Sequence, residues 1–167
     1  MDGTDFRIKE PHPFHKSWYS DKFNGPAVKY EVGVCIQTGW IVWLLGPFRG
    51  SKNDHAISME YLEHVLDDGE RYIADKGYHS SSALQPYNAL TFEERHYMRV
   101  VRGRHETVNR LFKRFRSIGN TFKRDHTKHG LFMYAIASII QIGIMFGEIQ
   151  PFAIDTEMEP QWFDPTE

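Results

Sequence analysis

The sequence of 167 residues contains a single cysteine, Cys35, which excludes an internal disulfide framework and makes a reducing compartment the simpler expectation. Cys35 stands in an apolar, strand-like run and reads as a buried structural thiol. The opening residues Met1-Asp2-Gly3-Thr4-Asp5 have neither the basic start nor the apolar stretch of a secretory signal, so secretion is not expected. Long hydrophobic runs are scarce. The longest, residues 131–146, falls short of the roughly 20 residues that span a bilayer, and it contains Gln141. It reads as a core helix, with no membrane partner. A glycine-rich loop of the P-loop type is lacking, which leaves nucleotide hydrolysis little support. His12 and His15 have neither helical zinc-ligand spacing nor a cysteine partner. With a formal net charge of -2, the molecule as a whole makes no strong electrostatic claim on nucleic acid.

What is present is enough for one core. A hydrophobic share of 41% with 14% aromatics, in a chain of this length, predicts one α/β or α+β domain. The charge is unevenly placed. Basic residues far outnumber Glu106 and Asp125 between Arg95 and Lys128, whereas residues 148–167 hold acids and no Lys or Arg. The expected organisation is a domain over residues 1–150 followed by an acidic tail over residues 151–167.

Alternation of Phe6 and Ile8 with polar residues predicts a first strand, and the Pro- and Gly-containing stretch from Lys9 to Pro26 predicts a loop or irregular hairpin. Residues 29–37 alternate and residues 40–45 are almost wholly apolar. They predict a hairpin through Thr38-Gly39, with the alternating strand outside and the apolar one inside. Gly46-Pro47-Phe48-Arg49-Gly50-Ser51 should break the sheet, and Ser51-x-x-Asp54 should start a helix that stops at Asp67-Asp68-Gly69. A short strand over residues 70–74 delivers Asp75 at its end. Residues 79–90 read as a loop. Thr91-x-x-Glu94 is a second capping box and opens a long helix ending at Gly119-Asn120, and a last helix runs from His129 to about Gly147. This order predicts an α/β fold with a mixed sheet, an antiparallel hairpin plus a parallel strand, covered by helices.

The long helix carries the main chemical signal. At about 3.6 residues per turn, Arg99, Arg102, Glu106, Arg110 and Lys113 share one stripe, while Tyr97, Val101, Val108, Leu111, Phe112 and Phe115 share another. Glu106 either pairs with its basic neighbours on a solvated face or binds a metal among cations suited to phosphate. Asp75 either forms a turn or presents a carboxylate at the sheet edge. Asp2, Asp75 and Glu106 come from three separate elements, and such acids suit a pair of Mg²⁺ ions, because hard cations take oxygen ligands. Two such ions can activate the attacking oxygen and stabilise the leaving one in a phosphodiester displacement.

The segments Asp2-Gly3-Thr4, Gly39 to Trp43 with Gly46 to Asp54, Ala74-Asp75-Lys76-Gly77-Tyr78 and Arg104 to Phe115 resemble the catalytic domain of DDE-superfamily transposases, with Harbinger-like and related insertion-sequence endonucleases as the most similar branch. The resemblance implies an RNase H-like fold with Asp2, Asp75 and Glu106 as the metal-binding triad and Asp54 as a further family acid; Asp5 is the alternative to Asp2. It also implies Mg²⁺ or Mn²⁺, two ions, as cofactor and DNA as partner. Arg102, Arg110 and Lys113 would contact phosphate, joined by Arg99 from the same stripe. Transposases of this type carry a DNA-reading domain, so the chain is read as N-terminally truncated, with DNA targeting left to a separate protein or domain. The implied location is the nucleus in a eukaryote and the cytoplasm otherwise. Two functions follow: a metal-dependent DNA endonuclease or strand-transferase, and a catalytically inactive, transposase-derived module that binds nucleic acid or a partner.

Overall fold

The computed structural model describes residues 1–89 and 91–149. The acidic tail expected over residues 151–167 lies outside them.

Strand β3 (Gly25–Val34) is the centre of the sheet, pairing antiparallel with β1 (Asp2–Arg7), with the two-residue β2 (Tyr19–Ser20) and with β4 (Ile41–Arg49). The β1 register sets Asp2 opposite Val32, Gly3 opposite Glu31 and Asp5 opposite Lys29. Gly39 turns the β3–β4 hairpin with φ +73°. The burial order is the reverse of the sequence expectation. The alternating strand β3 is the inner one, with Ala27, Val28, Tyr30 and Val32 buried, and the apolar β4 is the half-exposed one. Among the described residues β4 pairs only with β3, so Val42 is left 64% exposed while Ile41 and Leu44 pack on the core. Nor does Gly46-Pro47 end the sheet. The strand continues to Arg49 through a register shift opposite Lys29 and Glu31, and Gly46 takes φ +144° at a point where a Cβ would meet the Tyr30 ring.

Helix α1 (Asp54–Glu60) starts two residues later than its sequence signal suggests. Its cap is Asn53, whose side chain accepts from the Ala56 N–H, not Ser51. The helical pattern then breaks at Tyr61 into a 3-10 turn over Leu62–His64. Strand β5 (Tyr72–Ile73) pairs parallel with β6 (Ala83–Leu84), which lies inside the stretch expected to be loop. Serines and Pro86 hid that strand, because two residues are too few to show a period.

Helix α2 (Phe92–Arg114) begins on the Thr91–Glu94 capping box, with both reciprocal hydrogen bonds made. It stops at Arg114, before the Gly119 expected from sequence, because Phe115 turns to an extended conformation and packs on the core; the short α3 (Arg116–Gly119) follows. Helix α4 (His129–Met145) puts Met133, Ile136, Ala137, Ile140 and Ile144 into the same core as Phe6, Tyr30, Val108 and Phe112. With the preceding 3-10 turn it forms a helix of 20 residues, His126–Met145, long and apolar enough to cross a membrane, contrary to the length read from sequence. Its inner face nonetheless belongs to the core, as expected. Gln141, the polar residue in that apolar run, accepts the backbone N–H of Ile41 on β4 at 2.8 Å.

Candidate active site

Three of the four candidate acids line one cavity of about 470 Å³: Asp2 from the start of β1, Asp75 just after β5, and Glu106 from α2. Arg102 lines it as well. The Met1 ammonium at the head of β1 donates to Ile73 O of β5 at 2.6 Å, which brings the first two together.

Asp2 is held by its neighbours on α2. Its Oδ2 accepts from Asn109 Nδ2 at 3.0 Å. Asn109 Nδ2 also lies 3.3 Å from His105 Nδ1, and His105 Nε2 lies 2.8 Å from Val32 O. Since a carbonyl can only accept, Nε2 carries the proton and Nδ1 accepts from Asn109. Burial pushes the His105 imidazole down to about 3, so it is neutral. The 3.9 Å approach of His105 Nδ1 to Asp2 Oδ2 is therefore not an ion pair, because that nitrogen holds a lone pair already used by Asn109. Burial, and next the nearby Asp75 carboxylate, raise Asp2 above the usual aspartate range.

Asp75 is fixed by the turn that follows it. Its Oδ1 accepts the Gly77 N–H at 2.7 Å, and a Cβ on Gly77 would lie 3.0 Å from that oxygen. Gln85 clips the turn from beyond β6, donating to Asp75 O and to Tyr78 O. Tyr78 is fully buried and meets Tyr72 edge-on at 5.9 Å, so its ring is packing. Glu106 is exposed at the cavity rim.

Asp54 and Asp5 do not line that cavity, although Asp54 comes near the Asp75 turn, its Oδ2 4.0 Å from where a Gly77 Cβ would stand, and its charge helps raise Asp2. Asp54, the first residue of α1, pairs with Lys29 Nζ at 3.0 Å, and its carboxylate lies directly against Gly3, where a Cβ would stand 2.2 Å from Oδ1. A side chain at Gly3 of Asp2-Gly3-Thr4 would therefore have to displace the Asp54 carboxylate from its place beside Lys29. Asp5 is buried, hydrogen-bonded to Ser20 Oγ and 4.0 Å from Lys29 Nζ. Of the basic candidates, Arg99, Arg102, Arg110 and Lys113 are all exposed on α2. The Lys113 ammonium is nevertheless lowered by surrounding groups that displace water and by Lys22, with Asp5 and Asp2 acting in the opposite direction.

Carboxylates are the hard oxygen donors that Mg²⁺ or Mn²⁺ takes, and Asp2, Asp75 and Glu106 fit such an ion by donor type. Among the described residues no three His, Cys, Asp or Glu groups lie close enough together to hold one as they stand. His105, Asn109 and Gln85 were not foreseen as site residues. The first two had a signal: they occupy polar positions, four apart, on the apolar side of a helix that buries Val101, Val108 and Phe112.

No curated protein and no solved structure matches this chain. The family described as DDE superfamily endonuclease matches residues 1–141, and that family is RNase H-like, in keeping with an antiparallel sheet, a separate parallel pair of strands and their helices. By that match the chain belongs to the DDE superfamily endonucleases.

Proposed function

We propose that this chain is a metal-dependent DNA endonuclease or strand-transferase domain in which Asp2, Asp75 and Glu106 hold the cations. The observation that carries the reading is the meeting of three acids, from a strand start, a strand end and a helix, at one cavity. When bound, Mg²⁺ or Mn²⁺ ions would supply Lewis acidity to the attacking and leaving oxygens of a phosphodiester displacement. The chain's own part is to position the carboxylates: Asn109 orients Asp2, the Gly77 N–H orients Asp75, and α2 carries Glu106. Arg102 lies beside the acids and, with Arg99, Arg110 and Lys113, offers charge to the phosphate backbone.

The test is Mn²⁺ titration by calorimetry and cleavage of a DNA duplex, for the unaltered protein and for Asp75→Asn and Glu106→Gln. Loss of both binding and cleavage with an unchanged melting curve is expected. Metal-dependent cleavage retained in either variant would sink the reading.

The second reading is a non-catalytic DNA-binding module, favoured by the exposed arginines of α2. It predicts salt-sensitive duplex binding, lost with Arg102→Ala and Arg110→Ala together, and no product.

A further inference from the structure

The end of β1 farthest from Asp2 carries a cluster of cations that plays no part in the proposed metal site. Ile8 bridges Phe122 in parallel, and two backbone hydrogen bonds tie their segments together, Phe122 N–H to Arg7 O at 2.8 Å and Lys9 N–H to Phe122 O at 2.8 Å. Ile8 and Phe122 are both buried in the core, so alternation turns the next residue of each segment, Lys9 and Lys123, outward side by side. Both lysines are exposed. With His12, Arg124 and His126 they line an open hollow of about 250 Å³.

Two features separate this cluster from an ordinary solvated face. Its charge is uncompensated. Glu10 and Asp125 also border the hollow, but Asp125 Oδ1 accepts the Thr127 N–H at 3.0 Å, and among the described residues Lys9, Arg49, Lys123, Arg124 and Lys128 form no salt bridge. Like charges set side by side repel. Secondly, the larger cations are held on aromatic rings. Arg124 lies over Phe132 at 5.4 Å; Arg49 lies over Trp18 at 5.1 Å and donates to Ser17 Oγ at 2.9 Å, and His126 meets the same Trp18 ring in a T-shape at 4.8 Å. A guanidinium placed in this way loses little freedom when an anion arrives.

We propose that this hollow is a second contact for the phosphate backbone of duplex DNA, remote from the three acids. Donors from three separate segments suit a repeating chain of phosphates better than one small anion. The choice of DNA as the polyanion rests on the endonuclease reading; the cation cluster stands on its own geometry. At about 3.3 Å per residue of extended chain, Lys9 stands roughly 23 Å from Asp2, the length of about seven base pairs, so a longer duplex can reach both places.

The test follows a fluorescent duplex of about 20 base pairs by anisotropy across a salt series, in EDTA, with the full chain and with Lys9→Ala and Lys123→Ala combined. Losing two phosphate contacts should lower the slope of log affinity against log salt by about 1.8 and weaken binding at about 0.1 M salt by about tenfold or more. The melting temperature should not move, since both side chains are exposed, and Lys9→Arg with Lys123→Arg should bind like the unaltered protein. Unchanged affinity and slope in the alanine pair would overturn the proposal. Adding Arg102→Ala and Arg110→Ala should multiply the losses, and losses that fail to combine would overturn a single duplex reaching both surfaces. Equal competition by polyglutamate and by unlabelled duplex, at matched charge, would overturn nucleic acid as the occupant. Binding lost in the arginine pair alone removes this contact and leaves the endonuclease reading standing, whereas binding lost in the lysine pair, with cleavage intact in Asp75→Asn, removes that reading and leaves this contact.

Discussion

Asn109 shows how a residue without charge can govern one with charge. It sits one turn beyond Glu106, and its single amide nitrogen serves both Asp2 Oδ2 and His105 Nδ1, so α2 carries one cavity acid and steers another. Under the proposed function, Asn109→Leu leaves the Asp2 carboxylate in place but unsteered, and outer-shell partners of this type are worth roughly 10–100-fold in metal affinity. Calorimetric Mn²⁺ affinity is therefore expected to fall by about that factor, whereas Asp2→Asn should abolish the binding that depends on Asp2. Equal affinity in Asn109→Leu and the unaltered protein would remove Asn109 from the site. Gly3 makes the complementary point about space. An added methyl would stand 2.2 Å from Asp54 Oδ1, and the Asp54–Lys29 pair at 3.0 Å leaves that carboxylate little room to yield. Gly3→Ala is expected to destabilise by about 1–3 kcal/mol, read as a lower urea midpoint with unchanged slope.

At the scale of elements, the start of α2 decides where Glu106, Arg102 and Asn109 stand, because all three ride on one rigid helix. Its capping box joins Thr91 to the Glu94 N–H and Glu94 to the Thr91 N–H. Thr91→Ala removes one of the two and should cost about 1 kcal/mol, measured by denaturant unfolding; Thr91→Ser should cost almost nothing. An equal loss in both would show that the hydroxyl is not the cap. This box was legible in the sequence because it is local, set by four consecutive residues. Asp2, Asp75 and Glu106, named from the sequence as candidates, line one cavity. The inner and outer strands of the hairpin were not legible, because burial of a strand depends on its neighbours in space, and apolar β4 became the edge once β1 returned to pair with β3. For the same reason the helix cap at Asn53 was misplaced to Ser51, whose backbone N–H is engaged by the distant Ser17 O. Gln85 could not be read as a clip for the Asp75 turn, since that role exists only after β6 has paired with β5.

Across the whole molecule, two buried histidines contribute to the response to acid. His129 lies in the core between Tyr30, whose hydroxyl is 2.8 Å from Nδ1, and Phe122, and burial pushes it down to about 4, as burial pushes His105 to about 3. Unfolded, both would titrate near 6.5. Below that pH the unfolded chain binds protons that the folded chain refuses, so stability falls as pH drops from 6.5 toward 4 and, for His105, toward 3. Asp2 and Glu31 act with the opposite sign. Burial raises both carboxyls, so the folded chain takes up their protons before the unfolded chain does and regains some stability as pH falls through the raised values. Each neutral histidine contributes up to about 1.4 kcal/mol per pH unit in its window. His105→Gln keeps a donor for Val32 O and removes the titration, so its stability should fall less steeply between pH 6.5 and about 4. Denaturant unfolding at a series of pH values reads the slope directly. Parallel profiles for His105→Gln and the unaltered protein would mean that His105 takes up its proton as readily in the fold as in the unfolded chain, and Nδ1 would then be a donor instead of the acceptor for Asn109 Nδ2.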